Sequence, residues 1–255
     1  MANFGIHGAA GRMGKLLADY LVNSGDHRLA ALYDRGEIGF YPNALVTNDL
    51  DKFLAECEIV VDFSAPSGTE TLLEKVMQIG KKLPLVIGTT GLNAHQQNLL
   101  KLAAEKTPVL YATNMSLGIA LLNKLVYDAA KALKDFDIEI VEMHHKHKKD
   151  APSGTALTLA KSAAMARDLE LDKARVSGRD GIIGERSKDE IGVLSLRGGD
   201  IVGDHAVGFY GEGEYIKLQH TATSRATFAT GAIKAGGWLL NQQNGLYSIQ
   251  DYFRI

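Results

Sequence analysis

The sequence predicts an α/β protein in two parts: an open parallel sheet with helices on both faces, then an α+β domain on a mixed sheet. Three observations carry this. Short apolar runs alternate with helix-like stretches through the first half of the chain, and a glycine-rich turn joins the first run to the first helix. Beyond about residue 136 the period of the pattern drops to two, as in sheet with one polar face.

Taken in order, residues 4–6 form the first strand and 11–24 the first helix, followed by a strand at 28–33. A strand at 58–63 precedes a helix at 69–79, and a strand at 83–87 precedes a helix at 93–106. Residues 108–111 supply a further strand, followed by an apolar-periodic helix over 116–133. Residues 137–142 and 214–220 then alternate as half-buried strands, with a helix over 156–166 and glycine-rich turns such as 197–200 and 211–213 between them. A last helix, 225–240, is compatible with either domain from its pattern alone.

With 28 Lys and Arg against 30 Asp and Glu, the net charge of -2 gives no reason to expect nucleic acid or an acidic membrane as a partner. Every apolar run is interrupted well short of the roughly 20 residues that span a bilayer. The lone cysteine, Cys57, has no partner within the chain and reads as a small buried hydrophobe. The first residues lack a signal-peptide pattern, so the expected location is cytoplasmic.

Gly8-Ala9-Ala10-Gly11-Arg12-Met13-Gly14 lies between the first strand and first helix, where backbone amides and a helix N-terminus can face a pyrophosphate. Ala10 takes the middle position of the usual glycine pattern, but it is small enough for close approach of a ligand. A purely structural turn, or a site for another phosphate, remains open from the loop alone. Asp34 ends the second predicted strand twenty residues after Gly14, where an acidic side chain binds the adenosine ribose hydroxyls. The first domain is therefore expected to be a Rossmann-type dinucleotide-binding domain.

Asp34 favours NADH, whereas Arg35 and Arg12 can reach the same ribose and pair with a 2'-phosphate. NADH or NADPH is expected, with a modest lean to NADH. Gly88-Thr89-Thr90 and Ala112-Thr113-Asn114-Met115 follow later strands, and ligands collect at strand carboxyl ends in such sheets. Ordinary helix capping explains either loop as well.

The segment from Glu142 to Ala156 is the most informative. His144, His145, His147, Lys146, Lys148 and Lys149 crowd together without an evident packing purpose. Ser153, Gly154 and Thr155 then present amides and hydroxyls at the start of the 156–166 helix, a setting for a carboxylate. A cationic lysine nearby would strengthen that site.

This segment resembles the signature E-x-H-H-x-x-K-x-D-A-P-S-G-T-A of the dihydrodipicolinate reductase family, matching every specified position. The similarity extends to Gly8–Gly14, Gly88–Thr90, 114–118, 197–203 and 220–225, so it spans both domains. Ala10 and Met115 are mild departures, where many members carry glycine and phenylalanine.

The resemblance implies a dinucleotide-binding domain over 1–114 and 225–255, completed by the C-terminal helix, and a substrate and assembly domain over 115–224. It implies a homotetramer and the reduction of (2S,4S)-4-hydroxy-2,3,4,5-tetrahydrodipicolinate to 2,3,4,5-tetrahydrodipicolinate in the diaminopimelate route to lysine. His144 takes the proton-donor role and Lys148 the second acid or electrostatic role. His145, Ser153, Gly154 and Thr155 bind the dicarboxylate, and no metal is required. His144 and His145 point to opposite sides if extended, so they are expected to differ in role.

Three other readings compete. A sugar-type dehydrogenase accounts for the glycine loop and leaves the His-Lys segment unexplained. A metal-dependent hydrolase at His144, His145 and His147 must contend with the lysines. A catalytically silent nucleotide sensor conflicts with the intact His144 and Lys148. His205 and Arg225 are equally explained by function or by an ordinary turn or salt bridge.

Overall fold

The computed structural model describes residues 1–253. The chain divides into two compact units, one comprising Met1–Leu117 with the segment from Ala226 onward, the other Gly118–Arg225.

The first unit opens with β1 (Asn3–His7), α1 (Arg12–Ser24), β2 (Arg28–Tyr33), β3 (Leu45–Thr47) and α2 (Leu50–Glu56). It continues through β4 (Ile59–Asp62), α3 (Pro66–Gln78), β5 (Leu85–Ile87), α4 (Ala94–Ala104) and β6 (Pro108–Tyr111). The central strands are mainly apolar, as a sheet covered on both faces requires, and β4 and β5 are buried at every position, Asp62 at the end of β4 included. Capping sets several boundaries. The Asp49 side chain accepts from the amides of Asp51 and Lys52, and Asn93 and Gln96 form a reciprocal capping box at α4.

The chain leaves this unit along α5 (Leu117–Ala132), whose buried face belongs to the second core. The second unit contains β7 (Asp137–His144), α6 (Gly154–Ala166), α7 (Leu171–Ala174), β8 (Arg175–Val176), β9 (Ile191–Arg197), β10 (Gly203–Tyr210) and β11 (Tyr215–Ala222). The chain returns through α8 (Ala226–Leu239), β12 (Gly245–Tyr247) and a short 3-10 turn, Ile249–Phe253.

The first sheet has the order β12-β6-β5-β4-β1-β2-β3 and is parallel at every pairing. Its order reverses between β1 and β4, which makes the carboxyl end of β1 the topological switch point where such sheets bind ligands. One face packs Phe53, Leu72, Leu73, Leu99 and Leu100 from α2, α3 and α4.

Helix α8 belongs to this unit, which its sequence pattern left open. The reason is its small residues: a side chain at Gly236 would press on Phe4 and Ile59, and one at Gly231 would overlap the carbonyl oxygen of Met115. That contact also keeps 115–117 with the first unit, so the division falls slightly later than the expected residue 114.

The second sheet has the order β11-β10-β7-β9-β8 and is mixed, antiparallel at β7/β10/β11 and parallel at β7/β9 and β8/β9. In β7 the residues alternate, with Ile138 and Ile140 buried against α5 and α6. The next residue in that buried row is Glu142. A carboxylate in a hydrophobic row must find partners, and those partners define the site described next.

Candidate active site

At the end of β1, Gly8 adopts φ +84, a left-handed conformation in which any side chain would meet the Phe63 carbonyl oxygen at 2.7 Å. A side chain at Gly14 would lie 2.6 Å from Ala9 Cα, so the first turn of α1 can rest directly on the loop. The loop is tied to the end of β2. Gly8 and Ala9 amides donate to the Tyr33 carbonyl at 3.0 and 3.1 Å, Ala10 N donates to Asp34 Oδ2 at 2.9 Å, and Gly11 N donates to the Gly8 carbonyl at 3.2 Å.

This differs from the sequence reading, in which the amides from Gly8 onward face an anion. The amides of Gly8 to Gly11 are thus taken up by Tyr33, Asp34 and the Gly8 carbonyl, and the first turn of α1, from Arg12 and Met13, is left without a side-chain cap. The helix N-terminus is thus the part of the loop suited to a phosphate.

Two clefts flank the loop within this unit. One, of about 270 Å³, is bounded by His7, Gly8, Gly11, Tyr33, Asp34 and Arg35, with Phe63, Ser64, Ala65, Ser67 and Gly68 from the end of β4 and the start of α3. The other, of about 470 Å³, is bounded by Arg12, Met13, Gly88, Thr89, Thr90, Thr113, Asn114 and Met115, with Phe63, Ser64 and Phe228. The expected residues thus fall into two groups. Asp34 and Arg35 border the first cleft and Arg12 the second, with Phe63 and Ser64 common to both.

Ala9, Ala10 and Ala112 border neither cleft. Ala9 and Ala112 are buried, and Ala112 N donates to the Ile87 carbonyl, tying β6 to β5. Sequence reasoning overlooked Phe63, Ser64 and Phe228. The strand-end rule that selected Gly88 and Ala112 also covers the end of β4, and was not applied there.

The second unit gathers the His-Lys segment around Glu142. Its Oε1 accepts from Ser153 N at 3.0 Å and from Arg197 Nη2 at 2.8 Å. Its Oε2 accepts from Arg197 Nη1 at 2.8 Å and pairs with His144 Nδ1 at 2.6 Å. Burial alone would raise its carboxyl, but the bonds from Arg197, His144, Ser195 and Ser153 hold it down at about 2. Glu142 is therefore a carboxylate, and His144 Nδ1 is the donor in their bond. That fixes the ring, with Nε2 as the nitrogen free to exchange a proton.

Arg197 Nη2 also donates to the Asp150 carbonyl at 2.7 Å, and the Asp150 side chain pairs with Lys148 Nζ at 2.9 Å. The lysine lowers the Asp150 carboxyl. His144 packs edge-on against His205, ring centroids 5.1 Å apart. Burial first, and His144 second, push the His205 imidazole down to about 4, so it is neutral at pH 7. His205 Nε2 lies 3.1 Å from Ser153 Oγ.

Ser153 is buried, and its hydroxyl caps α6 by accepting from Ala156 N. It therefore serves as a cap of α6, in addition to the substrate contact that the sequence reading assigned to it. Gly154 is exposed and Thr155 half-buried at the first turn of α6, where a carboxylate can approach. His145 follows the last residue of β7 and has partners of its own. Its amide donates to the Ile201 carbonyl at 2.8 Å, and its Nε2 lies 3.5 Å from Arg225. Burial, then Arg225, lowers its imidazole.

The profile for "Dihydrodipicolinate reductase, N-terminus" matches residues 2–115, and that for the C-terminus matches residues 118–253. The chain belongs to the dihydrodipicolinate reductase family. A 4-hydroxy-tetrahydrodipicolinate reductase of Sulfurimonas denitrificans is 62% identical, and one of Wolinella succinogenes 60%, each over 100% of both chains. The solved dipicolinate-bound dihydrodipicolinate reductase from a Paenisporosarcina species superposes with a TM-score of 0.82 at 25% identity, over 98% of this chain and 99% of that one.

Membership in this family makes the chain a reductase and its first unit a dinucleotide-binding domain. No helix among the described residues is long and apolar enough to cross a membrane. Arg197 is the functional candidate that the family signature 142–156 does not contain, because it reaches Glu142 from a strand fifty-five residues away.

Proposed function

We propose that this protein reduces 4-hydroxy-tetrahydrodipicolinate to tetrahydrodipicolinate with NADH or NADPH, in the diaminopimelate route to lysine. The observation that carries the reading is the Glu142 cluster. One buried carboxylate orients His144, receives the amide of Ser153 at the start of α6, and holds Arg197, which reaches the Lys148 turn.

The glycine cradle supports the cofactor assignment. Side chains at Gly8 and Gly14 would fill the space between strand, loop and helix, and the uncapped turn at Arg12 and Met13 suits the pyrophosphate. Asp34 and Arg35 hold the adenosine ribose; Thr89, Thr90, Thr113 and Asn114 hold the nicotinamide half. When bound, the cofactor supplies a hydride to C4 of the conjugated imine formed once the 4-hydroxyl departs as water.

This chain's own residues do the remaining work. Gly154 and Thr155 hold one substrate carboxylate at the helix N-terminus, and His145 binds the ring from the other side of the strand end. Lys148 supplies positive potential as charge shifts toward the ring. His144 Nε2 delivers a proton to C5, the carbon between the one that gains hydride and the imine carbon, and Glu142 stabilises the imidazolium form that gives it up.

We further propose that no metal takes part, and that the enzyme is a cytoplasmic homotetramer. Turnover of the synthetic imine, followed by cofactor oxidation with and without a chelator, tests the assignment. Oxidation of either cofactor at a chelator-independent rate is expected. No oxidation, or loss of activity on chelation, would contradict it.

A further inference from the structure

His7, the last residue of β1, is a polar side chain at the end of a strand whose other members are apolar or glycine apart from Asn3. It is only 3% exposed, yet it borders the cleft that contains Asp34 and Arg35. Its ring stacks on Tyr33 with centroids 5.0 Å apart and planes 6° from parallel. Its Nδ1 lies 2.6 Å from Asp62 Oδ1.

Asp62 is fully buried at the end of β4 and is surrounded by donors. Thr69 and Thr89 hydroxyls donate to Oδ2 at 2.5 and 2.9 Å, and Ser64 N donates to Oδ1 at 3.1 Å. Three such donors leave Asp62 ionised, so it has no proton to give His7. The proton between them therefore sits on His7 Nδ1, and in the neutral ring Nε2 is left as an acceptor. Stacking on Tyr33 and the bond to Asp62 together fix the ring plane, so this acceptor has one direction.

We propose that His7 is a cofactor-selecting residue, whose Nε2 accepts a hydrogen bond from the adenosine ribose and so favours a free 2'-hydroxyl over a 2'-phosphate. It acts beside Asp34, which is already engaged by the amides of Ala10 and Gly36 at 2.9 Å each. An acceptor nitrogen offers a phosphate nothing, whereas it satisfies a hydroxyl donor. The inference rests on the dinucleotide reading of this cleft and extends it to a residue outside the glycine motif.

Two substitutions separate the ring's two nitrogens. In His7→Asn the amide nitrogen reproduces Nδ1 toward Asp62 but stops short of the cleft. In His7→Gln the longer amide reaches the place of Nε2 but releases Asp62. ADP-ribose and its 2'-phosphorylated form are the probes, titrated calorimetrically into the intact enzyme, with thermal unfolding recorded on the same samples.

His7→Asn is expected to keep the unfolding midpoint within a few degrees and to weaken ADP-ribose about fivefold to tenfold, with a smaller change for the 2'-phosphate. His7→Gln is expected to unfold earlier and to retain more of the ADP-ribose affinity than His7→Asn. Equal weakening of both probes, no weakening by His7→Asn, or failure of the wild-type enzyme to bind ADP-ribose would overturn the proposal. Because binding is read without turnover, an enzyme inactive on the imine that still showed this split would refute the substrate assignment and leave the role of His7 standing.

Discussion

At the cofactor clefts of the first unit the geometry depends on side chains that are missing, whereas in the second unit it depends on one side chain buried where an apolar residue belongs. Gly8 and Gly14 let strand, loop and helix approach to contact, and the amides of residues 8–11 are taken up by the loop itself and by Tyr33 and Asp34. Glu142 extends a buried row of isoleucines and gathers Arg197, His144 and Ser153 around itself. A site made of backbone tolerates many side-chain changes and no added bulk. A site organised by a buried charge tolerates the reverse.

That contrast is sharpest for Glu142. Replacement by Ala leaves Arg197 without its buried partner and His144 without its acceptor. Loss of one member of such a pair typically costs about 3–5 kcal/mol, and turnover is expected to fall about a thousandfold. Glu142→Gln should recover part of the stability and little of the rate. Stability and rate falling in parallel across both variants would mean that Glu142 only supports the fold.

Gly14→Ala is the counterpart in the first unit. The added methyl overlaps Ala9 Cα, so the loop must move, and the KM for NADH should rise at least about tenfold with a stability loss of about 1–3 kcal/mol. An unchanged KM would show that the first turn of α1 does not hold the cofactor.

Acid should strike the second unit through two groups with separate windows. Glu142 is held at about 2, below its usual 4.5, so its contribution is present above pH 4.5 and is lost as pH falls toward 2. His205 is held at about 4, below 6.5, so the unfolded chain takes up its proton first and stability declines from pH 6.5 toward 4. His205→Gln should flatten the upper window and leave the lower one. Chemical denaturation at stepped pH reads both, and an unchanged upper window in that variant would remove His205 from the account.

The smallest effect concerns the arginines. Arg35 borders the same cleft as Asp34, and Arg12 borders the other. Arg35→Ala should therefore raise the KM for NADPH about fivefold, as expected for one exposed ion pair, with far less effect for NADH. Arg12→Ala should not discriminate between the cofactors. Equal discrimination by both variants would mean that the two guanidinium groups converge on one ribose.

The alternation of strands and helices in the first half was legible because each element carries its own local period, as did α6 with Ser153 at its cap. The short strands β3, β8 and β12 were not, since two or three residues cannot display a period. Nor were β9 and β10 separated from the glycine-rich turns around them. The signature placed His144, Lys148 and Glu142 on one segment, but nothing local joins Arg197 or His205 to it. Their contact is a matter of register, with β7 paired to β9 on one side and β10 on the other. Ser153 shows the converse limit: its sequence position suits both a cap and a ligand, and the structure adds that the side chain is buried with His205 beside its hydroxyl.

The contrast between the two units is tested most directly by Lys148→Ala, with the NADH dissociation constant and turnover measured on one preparation. Lys148 belongs to the side-chain site and contributes nothing to the glycine cradle. The account predicts an NADH dissociation constant within about twofold of wild type and turnover lower by about 100-fold or more. Near-normal turnover, or a loss of NADH affinity as large as the loss of rate, would contradict it.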